Sequence, residues 1–195
     1  MRLQDIDGYT PITKDNINKV KCARIISGEG SDKYNKYIQY LAKKVLTISA
    51  NRTDRHKNDE VGILARLDGA YESQPIYGYW DEKMGTSVIN TTANTEYNFI
   101  LDENMYNQTL VFVHNHPNNS IVSINDLIQL VSNPEILAII AVGNNGSIKY
   151  AIKTFNDINY YIKLSGLLNN KKYKDKALQV YNKISKGLAD YNIEF

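Results

Sequence analysis

The sequence predicts a mixed α/β (α+β) domain in which a mixed β-sheet is flanked by helices. Two strongly apolar segments, Thr109–His114 and Leu137–Val142, have the length and composition of buried strands. Between Tyr34 and Ile48 the apolar residues instead recur every three or four positions, which indicates an amphipathic helix. Strand and helix signals that alternate along one chain favour a layered α/β architecture.

The composition is typical of one globular domain, with 195 residues of which 43% are hydrophobic and 23% charged. Basic and acidic residues nearly balance at 23 and 21, so charge gives no indication of a nucleic-acid or membrane partner. The single cysteine, Cys22, excludes an internal disulfide and a cysteine-rich zinc cluster. Without an apolar spanning segment or signal peptide, we expect a cytoplasmic protein by default, and export as an effector stays open.

Three regions are predicted along the chain. Residues 1–30 have weak periodicity and are interpreted as an irregular or partly structured N-terminal extension. Residues 31–155 form the core, and residues 156–195 a C-terminal helical segment packed on it. The helical pattern in that last segment covers about Asn156–Leu168 and Lys171–Ala189.

The first half of the core begins with the amphipathic helix, for which Ser31 is a candidate N-cap. Val61–Leu67 is a short apolar run typical of a strand, and Ile76–Trp80 is its predicted neighbour. Residues 81–108 are harder to assign, with a possible strand at Val88–Ile89 and a loop or short helix around it.

The second half of the core follows Thr109–His114. A short helix is predicted at Ile124–Val131, beginning at Ser123. After the strand Leu137–Val142, residues 143–146 have turn chemistry, and Ser147–Lys153 is expected to pair back as a hairpin.

The segment that carries chemistry is His114-Asn115-His116-Pro117 together with Asp126. Residues i and i+2 of an extended strand point to the same side, so both imidazoles can reach one ion. Asp126 falls in the first turn of the next helix, from which it can serve as a third ligand. Two imidazoles and a carboxylate suit one Zn²⁺ per chain and leave a position for a water molecule.

A general base is then required, and Glu60 at the start of a separate buried strand is the best candidate. The third histidine, His56, is interpreted as a surface residue that precedes this strand. Alone, each feature has an ordinary structural explanation, since Ser123-x-x-Asp126 is also a capping-box pattern. Together and in this order, they indicate a hydrolytic metal site.

These residues resemble the pattern of the JAMM/MPN (JAB domain) metallopeptidase family, which is a Glu, then His-x-His-Pro, then Ser-x-x-Asp. The resemblance covers about residues 33–153, and His-Asn-His-Pro is similar to the motif of RadC-like and phage- or toxin-associated JAB domains. It implies a cytidine-deaminase-like JAB/MPN fold and a hydrolase that cleaves a peptide or isopeptide bond in a protein or peptide substrate. The substrate itself and the oligomeric state are left open.

The resemblance implies a role for each matching residue. His114, His116 and Asp126 would bind the metal, and Glu60 would move a proton from water to the leaving amine. Ser123 would stabilise the oxyanion of the tetrahedral intermediate. The chain departs from the family in one respect, because the loop of six residues between His116 and Ser123 is one residue shorter than usual.

Two other functions are alternatives to a peptide-cleaving hydrolase. A non-catalytic JAB/MPN-fold interaction module, or a RadC-like protein of unclear activity, is the alternative, although such scaffolds usually lose ligands and this chain has kept them all. A zinc deaminase is disfavoured because its Cys-x-x-Cys signature cannot be built from one cysteine.

Overall fold

The computed structural model describes residues 9–53, 58–81, 86–91, 94–103, 109–153 and 193–194. This part of the chain contains helices on both sides of a mixed sheet, as the sequence predicts. In chain order the elements are α1 (Lys14–Lys19), α2 (Ser31–Ala50), β1 (Val61–Arg66), β2 (Ile76–Tyr77), β3 (Tyr79–Asp81), β4 (Thr86–Val88), α3 (Thr95–Glu103), β5 (Leu110–His116), α4 (Ile124–Ser132), β6 (Ile136–Gly143), β7 (Ile148–Lys153) and β8 (Ile193–Glu194).

The main sheet has the strand order β2-β1-β5-β6-β7-β8 among the described residues. Only β5 and β6 are parallel neighbours, and α4 connects them, whereas every other neighbouring pair is antiparallel. A crossover of this kind brings the start of its helix close to the carboxyl end of the first strand. The loop between β5 and α4 therefore lies at the edge of the sheet where a ligand site is most easily built.

Each face of the sheet packs against different helices. One core contains residues of α2 with Val111 and Val113 of β5, and the other contains residues of α3 and α4 with Leu110 and Phe112. Because side chains alternate along a strand, the next residues on the α4 side are His114 and His116. The pattern that builds the core also aims both imidazoles toward α4.

Helix α2 confirms the predicted amphipathic helix and extends it at both ends. Its buried residues are Asn35, Ile38, Leu41, Ala42, Val45, Leu46 and Ser49. The predicted N-cap was wrong, because Gly30 takes that position and Ser31 is the first helical residue. Gly30 enters the helix with φ at +73°, a left-handed conformation that serine adopts only at a steric cost.

The predicted strand Ile76–Trp80 is divided between two sheets. Ile76 and Tyr77 pair with β1 as expected, whereas β3 leaves the main sheet and pairs with β4. The Gly78 N–H donates to the Glu60 carbonyl at 2.8 Å, one residue before β1 begins. Since β1 offers no partner beyond that point, the chain turns away at Gly78.

Residues 9–13, here called the N-terminal strap, cross the loop that follows β5. The Thr10 N–H donates to the Pro117 carbonyl at 3.0 Å, and the Ile12 N–H donates to Asn58 Oδ1 at 3.2 Å. The predicted C-terminal helices lie outside the described residues. Of residues 156–195 the structure describes only β8, which pairs with β7. No helix in the described ranges combines the length and apolarity needed to cross a membrane.

Candidate metal centre

Strand β5 delivers two histidines to one point. His114 and His116 are both buried, at 1% and 5% exposure, and their Nε2 atoms lie 2.8 Å apart. The strand continues through His116, two residues beyond its predicted end, so the i, i+2 geometry holds for both side chains. Two imidazole nitrogens aimed at the same point are an arrangement suited to sharing a cation.

The loop after β5 orients the second imidazole. His116 Nδ1 lies 3.1 Å from the Ser120 carbonyl oxygen and 2.9 Å from the Ser120 hydroxyl oxygen. A proton on Nδ1 can be donated to that carbonyl, which leaves the Nε2 lone pair available for a ligand. Sequence reasoning missed Ser120, because its role depends on how the loop folds back.

The ring of His114 is held by packing. It stacks against Phe112 with the ring centroids 5.2 Å apart and an angle of 21° between the planes. Within the described part of the chain, His114 Nδ1 makes no hydrogen bond. The Phe112 ring thus supports the orientation of this imidazole.

Asp126 reaches the two imidazoles from the first turn of α4. Its Oδ2 accepts a hydrogen bond from the Ser123 N–H at 2.7 Å, and its own N–H donates to Ser123 Oγ at 3.2 Å, which completes a capping box. Its Oδ1 lies 3.3 Å from His114 Nε2, and its Oδ2 lies 3.6 Å from His116 Nε2. The capping pattern and the approach to the histidines, both anticipated from the sequence, are therefore compatible.

Glu60 approaches from a different part of the chain, just before β1. Its Oε1 lies 3.6 Å from His116 Nε2 and 4.0 Å from His114 Nε2, and the residue is buried. This carboxylate is as close to His116 Nε2 as that of Asp126 is, so distance alone allows Glu60 either to bind a metal or to act beside it. His56, by contrast, lies outside the described residues.

The site carries strongly perturbed acid–base groups. Burial raises the pKa of Glu60 to about 8, although His116 opposes the shift. Burial lowers the pKa of His116, but Asp126 and Glu60 outweigh it and raise that pKa to about 9. Burial alone would raise the pKa of Asp126, yet the two imidazoles hold it well below its usual range. The pKa of His114 is lowered, mainly by burial.

The donor set fits a transition-metal ion. Glu60, His114 and His116 each offer an atom within 4.8 Å of the others, and they form a buried group that could hold a metal ion. Asp126 adds a second carboxylate at the distances given above. Imidazole nitrogen with carboxylate oxygen suits Zn²⁺ and similar ions better than Mg²⁺ or Ca²⁺, which prefer oxygen ligands.

Comparison with known proteins adds no assignment. The chain matches no family model, no curated protein sequence and no solved structure. Its chemistry is therefore argued from the site.

Proposed function

We propose that this protein is a zinc-dependent hydrolase of the JAMM type that cleaves a peptide or isopeptide bond. The observation that carries the proposal is the convergence of Glu60, Asp126 and two imidazole nitrogens on one buried point. The order of these residues along the chain, with Ser123 three residues before Asp126, is the pattern on which the family resemblance rests.

The residues divide into binding and reacting groups. His114, His116 and Asp126 would hold Zn²⁺, which supplies Lewis-acid activation of a water molecule when bound. Glu60 would accept a proton from the attacking water and deliver it to the leaving nitrogen, a role that suits a buried carboxyl group of raised pKa.

Ser123 would donate a hydrogen bond from its hydroxyl group to the substrate carbonyl oxygen, which gains negative charge in the tetrahedral intermediate. Its Oγ already accepts from the Asp126 N–H, but a hydroxyl that accepts one hydrogen bond still has a proton to donate. The short loop before Ser123 is compatible with a capped helix start, because the capping box fixes Ser123 relative to Asp126.

A second candidate function is a structural zinc site. It is favoured by one observation, the 3.6 Å distance from Glu60 Oε1 to His116 Nε2, which would let Glu60 complete a set of four protein ligands. Zinc with four protein ligands keeps no position for water and stabilises a fold without catalysis.

Metal analysis of the protein purified without chelator or His-tag tests both candidates. We expect about one zinc per chain in the wild type and none in the His114→Ala/His116→Ala variant. Full zinc content in the double variant, or no uptake of added zinc by the wild type, would refute the ligand assignment.

The Glu60→Gln variant separates catalysis from structure. Replacing a general base abolishes hydrolysis without removing the metal. The Glu60→Gln variant should therefore keep its zinc and should not cleave a peptide or isopeptide substrate that the wild type cleaves. Loss of zinc in Glu60→Gln would instead make Glu60 a ligand and favour the structural site. Asp68→Asn is the matched control, because it makes the same carboxylate-to-amide change in an exposed ion pair with Arg66.

A further inference from the structure

The peptide group that joins Glu60 to Val61 is held at both ends. The Glu60 carbonyl accepts from the Gly78 N–H at 2.8 Å, and the Val61 N–H donates to Asn115 Oδ1 at 2.8 Å. This second bond is made by a side chain, because the backbone pairing of β1 with β5 ends at Gly62 and His114. Fixing this peptide plane fixes the backbone direction from which the Glu60 side chain leaves.

Asn115 lies between the two histidines but on the other face of β5. It is fully buried, and its Nδ2 donates to Asn144 Oδ1 at 2.9 Å, with longer contacts to the Asp59 carbonyl and Ser49 Oγ. Its side chain therefore points away from the point where the two imidazoles meet. Any effect of Asn115 on the chemistry must pass through the residues that it holds.

Backbone groups at its two ends fix the direction of this hydrogen-bond chain. The Val61 N–H can only donate, so Asn115 must present its oxygen there and its amino group to Asn144. Asn144 Nδ2 donates in turn to the Thr10 carbonyl at 2.9 Å, and a carbonyl can only accept. The two amide side chains thus have one consistent orientation from the N-terminal strap to Val61.

Asparagine is the residue type that this position requires. The side chain must accept at one end and donate at the other over a short reach. Aspartate has no donor when ionised, and glutamine is one methylene longer than a fully buried site built for asparagine accommodates without displacing its neighbours. The need for asparagine at position 115 therefore follows from its hydrogen bonds to Val61 and Asn144.

We propose that Asn115 is a positioning residue for Glu60, an inference that rests on the proposed function. By holding the Val61 N–H from the rear face of β5, Asn115 positions the Glu60 carboxylate relative to His114 and His116, the residues that would hold the metal. Asn144 orients Asn115 and belongs to the same device.

The experiment is a double-mutant cycle read by Co²⁺ titration of the full chain, with Co²⁺ as a visible stand-in for zinc. The four proteins are the wild type, Glu60→Gln, Asn115→Ala and the double variant. Loss of a carboxylate near a divalent cation should weaken Co²⁺ binding about tenfold without emptying the site at saturating metal. We expect Asn115→Ala to weaken binding by a similar factor alone and by no further factor in the Glu60→Gln background.

Asn35→Ala is the matched control. Asn35 is another buried asparagine, and it makes three hydrogen bonds to the backbone of Ile25 and Ile26, on the α2 face of the sheet. This variant also loses hydrogen bonds of a buried asparagine, so it should lower thermal stability while leaving Co²⁺ affinity unchanged.

Two outcomes would overturn the positioning role and leave the proposed function standing. One is an equal loss of affinity from Asn115→Ala in both backgrounds, which is what a merely structural residue gives. The other is a changed absorption spectrum of bound Co²⁺ in Asn115→Ala, since the spectrum reports the ligands themselves. Failure of the wild type to bind Co²⁺ or Zn²⁺ would overturn the proposed function itself.

If Asn115→Ala does not fold, amide hydrogen exchange of the Asn144→Ala variant provides a second test. In the milder Asn144→Ala variant, Asn115 loses the partner that orients it, and the Val61 amide should exchange faster than in the wild type. Unchanged protection of Val61 in this variant would contradict the role given to the pair.

Discussion

Gly62 allows the Phe112 ring, which packs beside the candidate metal centre, to lie against β1. A methyl group added at this residue would come within 2.5 Å of Phe112 Cζ, closer than packed atoms approach. The same ring stacks on His114, so a displaced Phe112 would carry the imidazole with it. Gly62 therefore helps to set the orientation of His114, a candidate ligand.

We predict that Gly62→Ala destabilises the protein by about 1–3 kcal/mol, because a well-packed core has no room for the added methyl. Chemical denaturation measures the loss. The double variant Gly62→Ala/Phe112→Leu should be more stable than the sum of the two single effects, since the smaller side chain relieves the clash. Strict additivity would show that the methyl group does not meet Phe112.

At the scale of single residues, the sequence could relate candidate site residues to one another only where they lie a few positions apart in the chain. His114 and His116 are two positions apart, and Ser123 and Asp126 form a local capping pattern, so strand and helix periodicity suffice to relate them. Glu60 was found only because it begins a recognisable strand. Gly62, Ser120 and Asn115 were missed, because their roles lie in contacts to a facing strand, a folded-back loop and a neighbouring turn.

Helix α4 is the element that joins folding to the candidate chemistry. Its N-cap bonds hold Ser123 and Asp126 together, and the Asp126 carboxylate is one of the groups that face both histidines. A carboxylate in the first turn is also favoured by the positive end of the helix dipole. The start of the helix therefore determines where this candidate ligand stands.

We predict that Ser123→Ala lowers stability by about 1 kcal/mol through loss of the cap. It should also weaken zinc binding, because Asp126 loses the group that fixes its backbone. Ser123→Thr is the control, since threonine keeps the hydroxyl that accepts from the Asp126 N–H. Thermal unfolding with and without zinc measures both effects, and a Ser123→Ala protein with unchanged stability would contradict the capping role.

The elements themselves were predictable where their pattern was long or strongly apolar. The helix α2 and the strands β5 and β6 agree with the sequence because each buries a continuous face. The division of β2 from β3 was not predictable, because it depends on where the facing strand β1 begins. Helix α1 has only six residues and none of them is buried, so it left no apolar periodicity to detect.

At the scale of the whole molecule, the two faces of the main sheet carry different groups. The α2 side of β5 holds apolar core and the Asn115 chain, while the α4 side holds core and then the candidate metal centre. The N-terminal strap is tied to this arrangement through Asn144 and Pro117. Buried polar groups are thus part of the core, and those among them that titrate make the stability of the protein depend on pH.

Lys153 at the end of β7 provides a test of that dependence away from the metal centre. Its Nζ donates to the Asn133 carbonyl at 2.8 Å, beyond the end of α4, and burial lowers its pKa to about 7, although Glu135 opposes the shift. A lysine in the unfolded chain has its ordinary pKa of 10.5. Between these two values the unfolded state binds more protons, so this residue makes stability rise with pH.

We predict that the free energy of unfolding of the wild type, relative to Lys153→Met, increases from pH 7 toward pH 10 by at most about 1.4 kcal/mol per pH unit. The comparison with the variant is needed because Glu60 and His116 have raised pKa values, and in the metal-free protein they make stability fall over part of the same range. Both groups are present in both proteins, so their contributions cancel in the difference. Urea unfolding at several pH values measures it, and a difference that stays constant with pH would mean that Lys153 keeps an ordinary pKa in the folded protein.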